Sequence, residues 1–157
     1  MKNKPKHLLS VILAVVAALS AGFAWLVYDQ SDARFSLEPE LYQGSEIKEI
    51  SAADYQKLIE QGKSFVVIAH MDFCPAETPL TTTAEALAHE DGLTFYGLNS
   101  DEFAKTALAA EIRYLPSAAI IRQGELVRYL DAESDDDIPY YQTASAFRDW
   151  LRKDIQL

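Results

Sequence analysis

A continuous apolar run, Phe65-Val66-Val67-Ile68-Ala69, leads through His70, Met71, Asp72 and Phe73 into Cys74-Pro75. Ser64 to His70 reads as a strand buried on both faces, because its apolar residues do not alternate with polar ones. Pro75 suits the first position of a helix, where its missing N–H costs nothing. The helix is predicted from about Pro75 to Glu90, with Leu80, Ala84, Leu87 and Ala88 inward, and Asp91-Gly92 ends it. Further on, Leu115-Pro116-Ser117 opens a hairpin, Ser117 to Arg122 and Glu125 to Leu130, about Gln123-Gly124. A buried strand that turns through a cysteine into a helix, with a later X-Pro before a hairpin, admits few topologies.

The other elements fit around this unit. Ile47 to Ile50 is a short edge-strand candidate, and Ser51 with Asp54 makes an N-cap for a helix that stops at Gly62. Leu93 to Leu98 is a strand, Asp101 to Glu111 a helix, and Thr143 to Lys153 a closing helix with Phe147, Trp150 and Leu151 on one stripe. The order βαβαβαββα implies crossover connections, a parallel portion and an antiparallel edge, hence an α/β fold.

Ahead of this domain, Leu8 to Tyr28 contains no charged side chain. About 20 apolar residues suffice to cross a ~30 Å hydrocarbon core. Lys2, Lys4 and Lys6 precede the run and Asp29 follows it, which orients the N-terminus to the cytoplasm. A cleaved signal peptide with Ala18-Leu19-Ser20 as its processing site is the alternative. We take the anchor, because the apolar run continues to Trp25-Leu26-Val27-Tyr28. The expected organisation is a cytoplasmic N-terminus (1–7), a transmembrane signal anchor (8–28), a spacer (29–45) and an extracytoplasmic domain (46–157). Cleavage would instead leave a secreted or periplasmic protein.

Three of the 14 Lys and Arg residues lie in 1–28, so the remainder has 11 against 24 Asp and Glu, a formal charge of −13. Such a domain is a poor partner for nucleic acid, whose phosphates require cations. One cysteine in an exported chain leaves a free thiol or an intermolecular link.

The element order, Cys74 after a buried strand, Pro116 before the last hairpin, and Leu93-Thr94-Phe95-Tyr96-Gly97-Leu98-Asn99-Ser100-Asp101 as a strand with its Asn-x-Asp exit resemble the thioredoxin-like family of a bacterial type. The resemblance covers roughly 46–154. It implies a mixed four- to five-stranded sheet flanked by helices, with a cis Leu115–Pro116 bond beside the cysteine. An extended client peptide would pair there with Leu115. It further implies Cys74 and Glu77 as the reactive pair of positions, with Phe73, Pro75, Leu115 and Pro116 contacting substrate. The departures are equally specific. Glu77 replaces the second cysteine of C-x-x-C, and Phe73 stands where many members have tryptophan. Ile68 replaces a buried acid six residues before Cys74, and Gly97 replaces a lysine.

Two functional readings follow. In the first, Cys74 is a monothiol nucleophile, activated at a helix N-terminus, that forms mixed disulfides with exported proteins. In the second, the fold is a redox-inactive adaptor that holds a peptide or partner at the membrane. Cys74 is then a small, partly buried hydrophobe left over from a redox ancestor. Enzymatic activity is at most that of a monothiol disulfide oxidoreductase, and no cofactor is implied. His70, Asp72 and Cys74 are too few and too cramped for a closed metal site, so no metal is expected and His70 is read as packed at the strand end. The acidic run Asp135 to Asp137 reads as a solvated loop, and Ile138-Pro139-Tyr140-Tyr141 as a seal on the sheet edge.

Overall fold

The computed structural model describes residues 34–71 and 80–157. The apolar segment 8–28 and the candidate residues Phe73, Cys74, Pro75 and Glu77 lie outside the described residues. Among the described residues no helix is long and apolar enough to cross a membrane.

Five strands form one mixed sheet: β1 (Glu46–Glu49), β2 (Phe65–His70), β3 (Thr94–Asn99), β4 (Ser117–Arg122) and β5 (Glu125–Tyr129). Their order across the sheet is β1-β3-β2-β4-β5. Strands β1, β3 and β2 are mutually parallel, while β4 is antiparallel to β2 and β5 to β4. The apolar run explains why β2 is central: Phe65 to Ile68 have no exposed surface, and Ala69 has almost none. Such a strand is stable only when covered on both faces. The hairpin between β4 and β5 turns on Gln123 (φ +52°) and Gly124 (φ +82°). Two left-handed residues match the twist of the flanking strands.

Helix α1 (Ala52–Glu60) begins as expected. Ser51 Oγ accepts from the Asp54 N–H and donates to Asp54 Oδ2. On its sheet face Tyr55 meets Phe65 edge-on at 6.0 Å, and Phe65 meets Tyr96 at 5.5 Å. The opposite face is covered by α2 (Leu80–Asp91) and α5 (Ala144–Leu151), with Phe147 packed on Phe95 and Trp150. All four inward positions expected on α2 are buried. Arg148 of α5 joins the two helices, its guanidinium donating to Asp91 and Glu90.

Two expectations are corrected. The helix predicted over Asp101–Glu111 is two short helices, α3 (Ser100–Phe103) and α4 (Leu108–Glu111). Phe103 and Leu108 are both buried, yet residues five apart on one helix would point about 140° from each other. The break lets both face inward. Thr106 marks it, its hydroxyl donating to the Phe103 carbonyl at 2.8 Å.

The second correction concerns the spacer. Residues 34–45 belong to the folded unit, which begins at Arg34 rather than at 46. Phe35 pairs with Ile155 in a parallel bridge, and Leu37 and Leu41 are almost fully buried. Glu38 accepts from Lys63 Nζ at 2.8 Å and from the Ser64 N–H at 3.2 Å. Three apolar side chains on an irregular segment had no period to reveal them, but each finds a place in the core.

Candidate functional site

Register decides which residues meet at the carboxyl end of the parallel strands. His70 is opposite Asn99 of β3, and Ala69 is opposite Ser117 of β4. The end of β2, the exit of β3 and the Leu115–Pro116 entry to β4 therefore share one edge of the sheet. In open α/β sheets this edge, where successive connections leave in opposite directions, is where ligands sit. The chain leaves β2 here and reaches Cys74 four residues after His70.

The Leu115–Pro116 bond is cis. Both residues are half-buried, while Arg113 and Tyr114 before them are exposed. Side-chain hydroxyls hold the entry to β4. Tyr141 Oη donates within reach of the Pro116 and Leu130 carbonyls, each at 3.1 Å. Ser117, fully buried, donates to the Leu130 carbonyl at 2.7 Å. Burial pushes the Tyr141 phenol far above its ordinary pKa, so it remains a donor. In the aromatic segment expected to seal the edge, Tyr141 does so, whereas Ile138 is exposed. Next to this entry, Glu111, Arg113, Tyr114, Tyr129, Asp131 and Glu133 line a polar cleft. The nearby acidic loop is closed on itself, with Asp137 Oδ2 accepting from the Asp131 N–H.

At the other side of β2, His70 Nε2 lies 2.9 Å from Glu49 Oε1. A carboxylate oxygen accepts, so in this contact the ring donates through Nε2–H. Glu49 is on β1 and His70 on β2, with β3 between them. They meet because residue 97 of β3, opposite both Glu49 and Ile68, is glycine. A Cβ there would run into the Glu49 carboxylate, lying 2.7 Å from Cδ. His70 is packed at the end of β2, as expected, and its ring also meets the Glu49 carboxylate. Asn99, its neighbour on β3, is otherwise engaged: its Oδ1 accepts from the Glu102 N–H and caps α3.

Of the residues expected at the site, Leu115 and Pro116 lie at this edge, while Phe73, Cys74, Pro75 and Glu77 are outside the described residues. Glu49 was not expected. An isolated glycine inside a strand pattern signals close approach of another group, and Gly97 carried that signal. Among the described residues no cluster of His, Cys, Asp and Glu could hold a metal ion.

No protein-family model and no curated protein sequence matches the chain. Solved structures do. The reduced thioredoxin pre-protein of Schistosoma mansoni is 23% identical, over 71% of this chain and 100% of that one, with a TM-score of 0.50. The oxidised thioredoxin of Plasmodium falciparum is 16% identical over 69% and 97%, at 0.51. A mutant thioredoxin of Halobacterium salinarum is 18% identical over 73% and 96%, also at 0.51. At these identities the likeness establishes architecture, and with the sheet order and the cis Leu115–Pro116 entry described above it gives the chain, whose sequence holds a single cysteine, a thioredoxin-like fold.

Proposed function

We propose that this chain performs thiol–disulfide exchange through Cys74 on exported proteins, held at the membrane by residues 8–28. One observation carries the reading: the register of β2 with β3 and β4 gathers His70, Asn99 and Leu115–Pro116 at the edge from which the chain runs on to Cys74. Cys74 follows His70 by four residues in the sequence.

In the exchange the Cys74 thiolate attacks one sulfur of a client disulfide. A new S–S bond forms, the old one breaks, and its electron pair leaves on the second client sulfur, which takes a proton. With one cysteine in the chain, a thiol from another molecule must resolve the mixed disulfide. Client backbone would lie along Leu115 as an added strand. Glu77 stands in the sequence where a resolving cysteine would be, and a carboxylate cannot resolve the complex.

Trapping tests this. Full-length protein expressed in a bacterial host and quenched with acid should yield adducts that a reductant releases. Cys74→Ser should yield none. Equal recovery of partners with Cys74→Ser would overturn the exchange reading in favour of a binding module that uses the Leu115–Pro116 edge.

A further inference from the structure

We propose that Tyr141 is a positioning residue for client peptides: its phenol, by holding the Pro116 carbonyl, sets the Leu115 backbone against which a client strand pairs. The inference rests on the client reading above and deepens it.

The backbone before β4 shows why one hydroxyl matters there. Among the described residues, the N–H and C=O groups of Arg113, Tyr114 and Leu115 make no hydrogen bond. The stretch is tethered at its two ends. Ile112, almost fully buried, donates its N–H to the Leu108 carbonyl at 2.8 Å. At the other end the ladder with β2 begins at Ser117, opposite Ala69. Pro116 has no N–H, so its carbonyl is its whole hydrogen-bonding capacity. That carbonyl accepts from Tyr141 Oη at 3.1 Å. Because the ring of Pro116 locks φ, a single free backbone rotation separates the held carbonyl from the Leu115 peptide group.

A phenol has one hydrogen to give, and two carbonyls lie within its reach, those of Pro116 and Leu130. The Leu130 carbonyl already accepts from Ser117 Oγ at 2.7 Å. Among the described residues the Pro116 carbonyl has no other donor. The phenol hydrogen is therefore the one that Pro116 needs.

Tyr141 is itself fixed from the other side. It is almost fully buried, and its backbone carbonyl accepts from Thr83 Oγ1 of α2 at 2.9 Å. The loop that brings the chain from Leu130 back to the turn Ile138–Tyr141 is drawn together where Asp137 Oδ2 accepts from the Asp131 N–H. The residue is thus held between α2 and the edge of the sheet. Such a residue suits a surface that pairs through backbone, because an added strand binds best to main-chain groups that are already aligned.

The test compares two disulfides on the full chain in a non-ionic detergent. One is dithiobis(nitrobenzoate), which has no peptide backbone. The other is an alanine-rich peptide, blocked at both ends, whose central cysteine carries nitrothiobenzoate in disulfide linkage. With each, the Cys74 thiolate forms a new S–S bond, and nitrothiobenzoate leaves with the electron pair as a coloured thiolate. The quantity read is the ratio of the peptide rate to the small-disulfide rate. A change in the reactivity of the thiol moves both rates together and leaves the ratio alone. Tyr141→Phe keeps the ring and should lower the ratio about five-fold, the size of one net hydrogen bond. An unchanged ratio would overturn the positioning role and leave the exchange reading standing. No reaction of the unaltered chain with either disulfide would overturn both. Should Tyr141→Phe fail to fold, Thr83→Val, which releases the Tyr141 carbonyl, should lower the same ratio, and Thr83→Ser should restore it. A ratio that Thr83→Val leaves unmoved would overturn the proposal.

Discussion

Strand β2 has a carboxylate at each end, and the two do different work. At the entry, Glu38 accepts from Lys63 Nζ and from the Ser64 N–H. At the exit, Glu49 accepts from His70 across a neighbouring strand. The entry carboxylate is tied to backbone and to a permanent cation. Its hydrogen bond with Lys63 holds its pKa below the usual value, partly opposed by burial. It pins residues 34–45 to the start of the strand. The exit carboxylate is more than half exposed, and its partner is the imidazole of His70. The entry bond ties side chain to backbone and cation, whereas the exit bond ties side chain to side chain across β3. Between the two ends lies apolar chain with no exposed surface.

The largest effect should come from that middle. Ile68→Ala removes a fully buried side chain beside Gly97 and should cost about 2–5 kcal/mol, read as a shift in urea midpoint. A cost below about 1 kcal/mol would mean that the interior of β2 is not the tightly packed region its burial indicates.

Glu38→Gln should cost about 1 kcal/mol at neutral pH, since a charge-assisted bond is weakened at a partly exposed site. The pH dependence has a definite sign. The folded-state pKa of Glu38 is lowered, so its contribution is full above the unfolded value and is lost as pH falls through the folded one. Urea unfolding at about pH 7 and about pH 3 should show the difference between Glu38→Gln and the unaltered chain shrinking in acid. A difference independent of pH would make the entry bond indifferent to charge.

Glu49→Gln should be the mildest for stability, within about 0.5 kcal/mol, because exposed ion pairs contribute little. A large loss of stability instead would erase the distinction between the two ends and make Glu49 a structural clamp like Glu38.

Much of the architecture was legible in the residues. The unalternated run of β2 declared a doubly covered strand, Ser51 and Asp54 declared a helix start, and Gln123-Gly124 declared a hairpin. These signals are local: a cap, a turn and a period each act within a few residues. The inward face of α2 followed from helical spacing in the same way. The break between Phe103 and Leu108 did not, because an alanine-rich stretch favours helix and only burial of both side chains forces the chain to stop. The packing of Phe35, Leu37 and Leu41 was hidden for a related reason. Irregular chain has no period, so its contacts exist only once the sheet and α5 are in place.

The candidate site divides along the same line. Sequence alone placed Leu115–Pro116 at the entry to the hairpin, next to a strand that leads to the lone cysteine, since these are neighbours along the chain or across one predicted pairing. The meeting of Glu49 with His70 is of another kind. The two are 21 residues apart, lie on strands that do not pair, and come together only because the sheet order inserts β3 between them and β3 has glycine at that register. Chain chemistry determined which groups were present. Only the tertiary arrangement decided that an edge-strand glutamate and a central-strand histidine meet across a gap with no side chain.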